Sequence, residues 1–234
     1  MTVIIQYNAG NIQSVRYALA RIGAEATVTD DPALIRAAER VIFPGVGEAS
    51  TAMAYLQERG LDEVIRRLVQ PVLGICLGMQ LMCSYSEEND TDCVGIFEER
   101  VRQFAPEASS GPGPGAASGH ESNVSSGPER RAASGHESGL SRAPGGAPTF
   151  KVPQIGWNTI YDLETPLLAG LPEESYCYFV HGYYAALGAH TIAKTDYIRP
   201  YSSALHRGNF YGVQFHPEKS AAVGEKILKN FMSL

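Results

Sequence analysis

The sequence of 234 residues has few cysteines and no long apolar run. Its four cysteines form no CxxC pair and are too sparse for the disulfide framework of a small secreted domain. We therefore expect free thiols in a reducing, cytoplasmic environment. No stretch reaches the roughly 18 apolar residues that a membrane-spanning helix needs. Residues 1–8 also lack the basic segment that opens a signal peptide.

Positive charge is scarce as well, with 19 Lys and Arg against 25 Asp and Glu and a net charge of −6 at pH 7. Nucleic acids and anionic membranes attract basic surfaces, so we expect neither as a partner. The pairs His120-Glu121 and His136-Glu137 are only weak metal-site candidates, because both lie in a low-complexity repeat. We predict no metal and no other cofactor.

One segment, residues 105–148, differs in composition from the rest of the chain. Of its 44 residues, 32 are Ala, Gly, Ser or Pro, and a seven-residue sequence at 116–122 recurs at 132–138. Such a segment buries too little apolar surface to offset the entropy cost of ordering it. We predict a disordered insertion within a single domain that spans residues 1–234.

The remaining sequence alternates apolar strand patterns with amphipathic helix patterns. Strands are predicted near residues 3–5, 26–28, 41–43 and 72–75, and helices follow them, including one from Asn11 as N-cap and one over 77–85. The second half is richer in strand patterns. This order predicts an α/β fold with an open, mostly parallel sheet flanked by helices, and with additional antiparallel strands in the C-terminal half.

The segment G-x-C-x-G at residues 74–78 lies between a predicted strand and a predicted helix. This is the cysteine version of the nucleophile elbow, a sharp turn that needs glycines on both sides of the nucleophile. It places Cys76 near a helix N-terminus, whose dipole favours the reactive thiolate. A buried structural cysteine between packing glycines is the alternative reading.

A second motif, H-P-E at residues 216–218, ends a predicted strand. Pro217 favours an extended His216, and side chains two residues apart in extended backbone project to the same side. Glu218 can then hold one ring nitrogen of His216 and leave the other for the proton of Cys76. An incidental surface turn is the alternative, but both motifs fall at the carboxyl edge of the predicted sheet. P-G-V-G at residues 44–47 ends a third strand there and could donate backbone N–H groups to an oxyanion.

These motifs, with Gln80 following the elbow, resemble class I, triad-type glutamine amidotransferases. Finer features resemble the glutaminase subunits of imidazole glycerol phosphate synthases, enzymes of histidine biosynthesis. Those features are Y-N-A-G-N at 7–11, P-G-V-G at 44–47, V-P-Q-I-G-W-N at 152–158, Y-F-V-H at 178–181 and P-E-K-S at 217–220. The resemblance covers nearly the whole chain except residues 105–148.

The resemblance implies a glutaminase with a catalytic triad. Cys76 is the expected nucleophile, His216 the base and then the acid, and Glu218 the residue that orients His216. It implies that glutamine contacts Gln80. The expected oxyanion site comprises Gly45, Val46, Gly47 and the N–H of Leu77.

The resemblance also implies a cyclase subunit as the partner in a heterodimer. The released ammonia would react there with a ribonucleotide-derived imine, giving imidazole glycerol phosphate and an aminoimidazole carboxamide ribonucleotide. Residues expected near that partner are Asn11, Trp157, Tyr178 and Lys219. One departure concerns Gly182, where the family usually has a small hydroxyl residue.

Three other functions remain open at this stage. The chain could be an autonomous cysteine hydrolase, such as a peptidase or deglycase. It could be a binding module that keeps the scaffold without catalysis, although an intact triad argues against that. It could also serve another amidotransferase pathway, such as anthranilate, guanylate or carbamoyl phosphate synthesis.

Overall fold

The computed structural model describes residues 1–8, 10–105, 140–141 and 149–234. Of the predicted insertion at 105–148, only residue 105 and the backbone of 140–141 are included, so the rest of that prediction lies outside the described residues. Within the described ranges, no helix is long and apolar enough to cross a membrane.

The first half of the chain alternates strands with helices, as predicted. Its elements are β1 (Thr2–Ile5), α1 (Ile12–Arg21), β2 (Ala26–Thr29), α2 (Pro32–Ala37), β3 (Arg40–Gly45), α3 (Ala49–Glu58), α4 (Leu61–Arg66), β4 (Val72–Cys76) and α5 (Leu77–Met82).

The second half consists mainly of strands and closes with a helix. Its elements are β5 (Tyr85–Ser86), β6 (Thr91–Asp92), β7 (Arg100–Gln103), β8 (Leu140–Ser141), β9 (Thr149–Phe150), β10 (Gln154–Ile160), β11 (Ser175–His181), β12 (Tyr183–Ala185), β13 (Thr191–Tyr197), β14 (Arg199–Arg207), β15 (Phe210–Val213) and α6 (Ala221–Met232). Short 3-10 turns lie at Pro166–Leu168 and Pro217–Lys219.

Eleven strands within the described ranges form one sheet. Strands β2, β1, β3, β4 and β15 lie side by side and run parallel. The sheet continues from β15 through antiparallel β14 to β12, β7, β5 and β6, and β13 also pairs with β14. The predicted α/β fold, with a parallel sheet and additional antiparallel strands, is confirmed.

Both faces of the inner parallel strands β1, β3, β4 and β15 are buried, and their sequences are accordingly rich in apolar residues. Along β1, Val3 and Ile5 pack into a core covered by α2, α3, α4 and α5. Ile4 faces the opposite core, which α1 and α6 cover. The carboxyl ends of β3, β4 and β15 lie side by side in the sheet and bring three candidate site residues to one edge: Gly45, Cys76 and, just beyond β15, His216.

The predicted helix over 77–85 is too long, because α5 ends at Met82. Cys83 takes an extended conformation with ψ 177°. The loop at residues 94–97 then satisfies the last carbonyls of the helix: the N–H groups of Ile96 and Phe97 donate to Met82 O, and that of Val94 donates to Leu81 O. A distant segment thus ends this helix, which the local sequence does not reveal.

Candidate active site

Cys76 occupies a sharp turn between β4 and α5, with φ 53° and ψ −110°. This conformation is strained for a residue with a side chain and persists only where its surroundings enforce it. A β-carbon on Gly74 would lie 2.8 Å from the backbone nitrogen of Met79, and one on Gly78 would lie 1.8 Å from the carbonyl oxygen of Phe43. The elbow therefore needs both glycines.

His216 and Glu218 lie beside Cys76 and are both buried. Nδ1 of His216 donates to Oε1 of Glu218 over 2.7 Å, because an ionised carboxylate can only accept. That hydrogen bond leaves Nε2, which makes no other hydrogen bond among the described residues, to interact with the thiol of Cys76. Burial lowers the pKa of His216, but its interactions with Cys76 and Glu218 outweigh burial and raise the pKa to about 10. The imidazolium is therefore the favoured form of His216.

Asn11 does not cap α1 through its side chain, contrary to the sequence prediction. Its backbone is left-handed, with φ 77°, and its amide nitrogen donates instead to Oε1 of Glu218. A hydrogen bond to a charged carboxylate is stronger than one between neutral groups. The Asn11 side chain therefore binds Glu218 and does not cap the helix. Asn11, predicted at the partner interface, is thus half-buried against the Glu218 carboxylate.

A cavity of about 250 Å³ opens above the Cys76 thiol. Three of the four predicted oxyanion residues, Val46, Gly47 and Leu77, line it, while Gly45 lies behind them against Tyr7 and Leu77. The full lining is Val46, Gly47, Cys76, Leu77, Gln80, Glu88, Val180, His181, Gly182 and Tyr183.

Gln80 lies in this wall with its amide nitrogen already engaged. Its Nε2 donates to the carbonyl oxygen of Tyr183 and to Oε1 of Gln214, each over 2.9 Å. An amide nitrogen has two hydrogens, so both are used. Only Oε1 of Gln80 remains to accept a hydrogen bond from a molecule in the cavity.

Two residues near the thiol were not predicted from the sequence. Glu88, between β5 and β6, brings a carboxylate to the cavity wall; burial raises its pKa, while a 2.8 Å hydrogen bond from the N–H of Ala49 acts in the opposite direction. Gln214 lies two residues before His216 and donates from Nε2 to Sγ of Cys76 over 3.6 Å. Gln214 could have been predicted from its place two residues before His216 on the same predicted strand. Nothing in the sequence around Glu88 indicates that Glu88 reaches the cavity.

His181 is a buried histidine whose two ring nitrogens both face polar groups. Nδ1 donates to the carbonyl oxygen of Tyr183 over 2.8 Å, and the hydroxyl oxygen of Tyr201 lies 3.3 Å from Nε2. Burial lowers its pKa to about 3, so the ring is neutral at ordinary pH. It nevertheless forms part of the cavity wall.

The other residues predicted near a partner form one cluster, with Trp157 on β10, Tyr178 on β11 and Lys219 on the 3-10 turn at Pro217–Lys219. The Trp157 side chain, 42% exposed, packs edge-on against Tyr178 with ring centroids 5.9 Å apart. Nζ of Lys219 lies 5.8 Å above the same Tyr178 ring. The backbone N–H of His216 donates to the Tyr178 carbonyl over 2.9 Å, so this cluster adjoins the triad.

Comparison with known proteins agrees with this geometry. The sequence model for class-I glutamine amidotransferases matches residues 3–234. The chain belongs to this family. Among curated relatives, the imidazole glycerol phosphate synthase subunit HisH of Bacteroides fragilis is 48% identical over 231 residues, covering 99% of this chain and 98% of that protein. HisH of Bacteroides thetaiotaomicron is 46% identical with the same coverage.

The fold of this amidotransferase also matches solved structures. One described as a glutamine amidotransferase superposes with a TM-score of 0.64, at 15% identity, over 99% of this chain and 97% of the other. At that identity the likeness concerns the fold alone. The predicted resemblance to amidotransferases is therefore confirmed by both sequence and fold.

Gly182 of this amidotransferase, where we expected a small hydroxyl residue, lies on the cavity wall. A β-carbon added there would meet only the Pro153 Cβ, at 3.9 Å. The space for a hydroxyl side chain is therefore present although the side chain is missing.

Proposed function

We propose that this chain is the glutaminase subunit of an imidazole glycerol phosphate synthase, releasing ammonia from L-glutamine with Cys76, His216 and Glu218. The observation that carries the proposal is the strained Cys76, with its thiol beside the Glu218-bound His216 and open to one small cavity. At about 250 Å³ the cavity lies below the about 300–1,000 Å³ of pockets for drug-sized ligands, and so suits a single amino acid.

The chemistry follows from this arrangement. Sγ of Cys76 attacks the side-chain amide carbon of glutamine, and the negative charge moves to its oxygen. When the C–N bond breaks, the His216 imidazolium gives its proton to the nitrogen, which leaves as ammonia and leaves a thioester. Neutral His216 then takes a proton from water, whose oxygen attacks the thioester. Glutamate departs and the thiolate–imidazolium pair is restored.

Recognition of glutamine uses the remaining groups of the cavity wall. Oε1 of Gln80 accepts a hydrogen bond from the substrate, and the carboxylate of Glu88 pairs with the substrate α-ammonium group. The backbone N–H groups of Leu77, Val46 and Gly47 donate hydrogen bonds to the oxyanion. Gly45 begins the loop that contains Val46 and Gly47.

The partner is a cyclase subunit that forms a heterodimer with this chain in the cytoplasm. Free ammonia is mostly ammonium at neutral pH and then a poor nucleophile, so it must pass directly to the enzyme that uses it. The exposed cluster of Trp157, Tyr178 and Lys219 supplies aromatic and cationic groups suited to an interface core. Asn11, also expected near the partner, contacts the triad through Glu218. The proposal includes one amidotransferase domain over residues 1–234, with the insertion at 105–148.

The test measures glutamate release from glutamine by the purified chain, alone and with a cyclase subunit plus its ribonucleotide ligand. We expect the partner to raise a rate that Cys76→Ala abolishes. Cys93→Ala is the matched control, because it removes a half-buried thiol outside the cavity and keeps the activity.

The remaining alternatives give different results in this assay. A rate that depends on Cys76 but ignores the cyclase subunit would assign the chain to another amidotransferase pathway. Cleavage of peptide substrates without glutamate release would indicate an autonomous hydrolase. Absence of any Cys76-dependent reaction would leave only a binding role.

A further inference from the structure

We propose that Gln214 is a further catalytic residue, whose side-chain amide donates a hydrogen bond to the sulfur of Cys76 and stabilises the thiolate. The inference rests on the proposed function only in taking Cys76 as the nucleophile. It assigns a charge-stabilising role to a side chain outside the triad.

Register in the parallel sheet brings the two residues together. Strands β4 and β15 are hydrogen-bonded neighbours, and Val213 pairs with Ile75. Gln214 and Cys76 are the next residues along the two segments: β15 ends at Val213, just before Gln214, and β4 ends at Cys76 itself. Gln214 is fully buried, and its backbone N–H donates to the carbonyl of Ser203 over 2.8 Å, which fixes its backbone. Its Nε2 lies 3.6 Å from Sγ of Cys76.

A chain of hydrogen bonds determines which end of the Gln214 amide faces the sulfur. The Tyr183 carbonyl can only accept, so the Gln80 atom 2.9 Å from it is the nitrogen. That same nitrogen lies 2.9 Å from one end of the Gln214 amide, which must then be the oxygen. The NH₂ group of Gln214 consequently points at Cys76. Gln80 thus orients Gln214 in addition to lining the cavity.

The surroundings of the sulfur distinguish its two protonation states. As a thiol, Cys76 can donate to the carbonyl oxygen of Val180, 3.9 Å from Sγ. As a thiolate it can only accept, and the amide N–H of Gln214 and the imidazolium of His216 are the donors aimed at it. Hydrogen bonds to a charged acceptor are stronger than those between neutral groups, so Gln214 favours the thiolate.

Other titratable side chains around the sulfur do not compete for this role. Burial raises the pKa of the Tyr7 and Tyr201 phenols well above the ordinary value, and the thiolate raises both further, so they stay neutral. Burial keeps His181 neutral by lowering its pKa. Glu88 on the cavity wall is an acceptor when ionised and cannot stabilise a thiolate.

The test follows alkylation of Cys76 by iodoacetamide against pH, with the modified peptide identified by mass spectrometry. Burial raises the pKa of Cys83, Cys93 and Cys177, so these thiols react slowly. Gln214→Met keeps the shape and removes the donor. We expect the apparent midpoint, which belongs to the Cys76–His216 pair, to rise by about one pH unit, a tenfold loss of thiolate below the midpoint. Glutamine turnover at neutral pH should fall by a similar factor, mainly in kcat.

The matched control is Gln154→Met, which removes another buried amide, one bonded to Tyr201 rather than to the sulfur. It should leave the alkylation midpoint unchanged. A midpoint in Gln214→Met equal to that of the unmodified chain, or an equal shift in both variants, would overturn the proposal. If Gln214→Met does not fold, Gln214→Glu keeps the acceptor for Gln80 and replaces the NH₂ group by a carboxylate oxygen; a midpoint that fails to rise there also overturns it.

The same experiment separates this inference from the proposed function. Alkylation reports the state of the sulfur without any substrate. A shifted midpoint in Gln214→Met supports the contact even if the unmodified chain releases no glutamate, a result that would count against the proposed function alone. Normal glutamate release with an unshifted midpoint would overturn this inference and leave the proposed function supported.

Discussion

Gly78 packs directly against the backbone of Phe43: a β-carbon on Gly78 would lie 1.8 Å from the Phe43 carbonyl oxygen. The contact joins the first turn of α5 to β3, behind the elbow. Gly78→Ala must therefore push these backbones apart, and we expect a loss of about 1–3 kcal/mol in the free energy of unfolding together with loss of glutaminase activity. Urea unfolding measures the first quantity. Gly182→Ala, which meets nothing closer than 3.9 Å, should stay within about 0.5 kcal/mol of the unmodified chain.

The contact of Asn11 with Glu218 predicts a positioning effect on the triad. Asn11→Ala removes a donor to the carboxylate that holds His216, and we expect basal glutamate release to fall about tenfold through kcat. Asn11→Asp should be more harmful, because it places a second carboxylate beside Glu218 and repels it. The control is Asn89→Ala, at an exposed turn outside the cavity. Equal rates for both Asn11 variants and the control would refute a role in the triad.

Gly182 offers a gain-of-function prediction. The cavity wall has room for a side chain at this position, so Gly182→Ser should fold normally and place a hydroxyl beside the substrate. We expect KM for glutamine to fall several-fold while kcat changes little, since one neutral hydrogen bond contributes about 0.5–1.5 kcal/mol. Gly182→Ala separates the hydroxyl from the added volume. A lower KM in both variants would attribute the effect to packing.

The buried His181 predicts a loss of stability in acid. Burial lowers its folded pKa to about 3, below the ordinary 6.5, so the unfolded chain binds the proton more readily. The stability that neutral His181 provides is present above pH 6.5 and is lost as the pH falls towards 3. At pH 4 we expect this group alone to remove about 3 kcal/mol from the free energy of unfolding.

The measurement compares urea unfolding at pH 7 and pH 4 for the unmodified chain and His181→Gln. His181→Gln should be less stable than the unmodified chain at pH 7, but its free energy of unfolding should fall less between pH 7 and pH 4. His206→Gln, at a half-exposed site, is the control and should keep the full pH dependence. An identical decrease in all three proteins would exclude His181 as the acid-sensitive group.

Much of the parallel half of the fold is readable from the sequence because its signals are local. The runs at β1, β3 and β4 are buried on both faces and contain few polar residues, and the glycines at the elbow are required by sterics. The Asp31 side chain caps α2 by accepting from the N–H of Ala33 over 2.7 Å, as is typical of an Asp before a Pro at the first helical position. The sequence does not indicate β10, because its exposed aromatic and polar residues do not alternate regularly.

The candidate site was less predictable where it depends on distant contacts. H-P-E and the elbow cysteine are short motifs that can be recognised from the local sequence. Glu88 reaches the cavity only because the turn between β5 and β6 folds back over α3, where the Ala49 N–H binds it. Asn11 was assigned to a helix cap from its position, but the charge of Glu218, 207 residues away, decides where its amide points.

The backbone hydrogen bond from His216 to the Tyr178 carbonyl has a consequence for how this protein can diverge. The strand that displays the outer aromatic ring also holds the backbone of the proton-carrying imidazole. Substitutions that reshape this surface for a different partner protein therefore also shift the imidazole. Selection thus acts on the binding surface and on the position of the imidazole at once. Changing the surface while keeping the imidazole in place requires compensating changes in the same few residues.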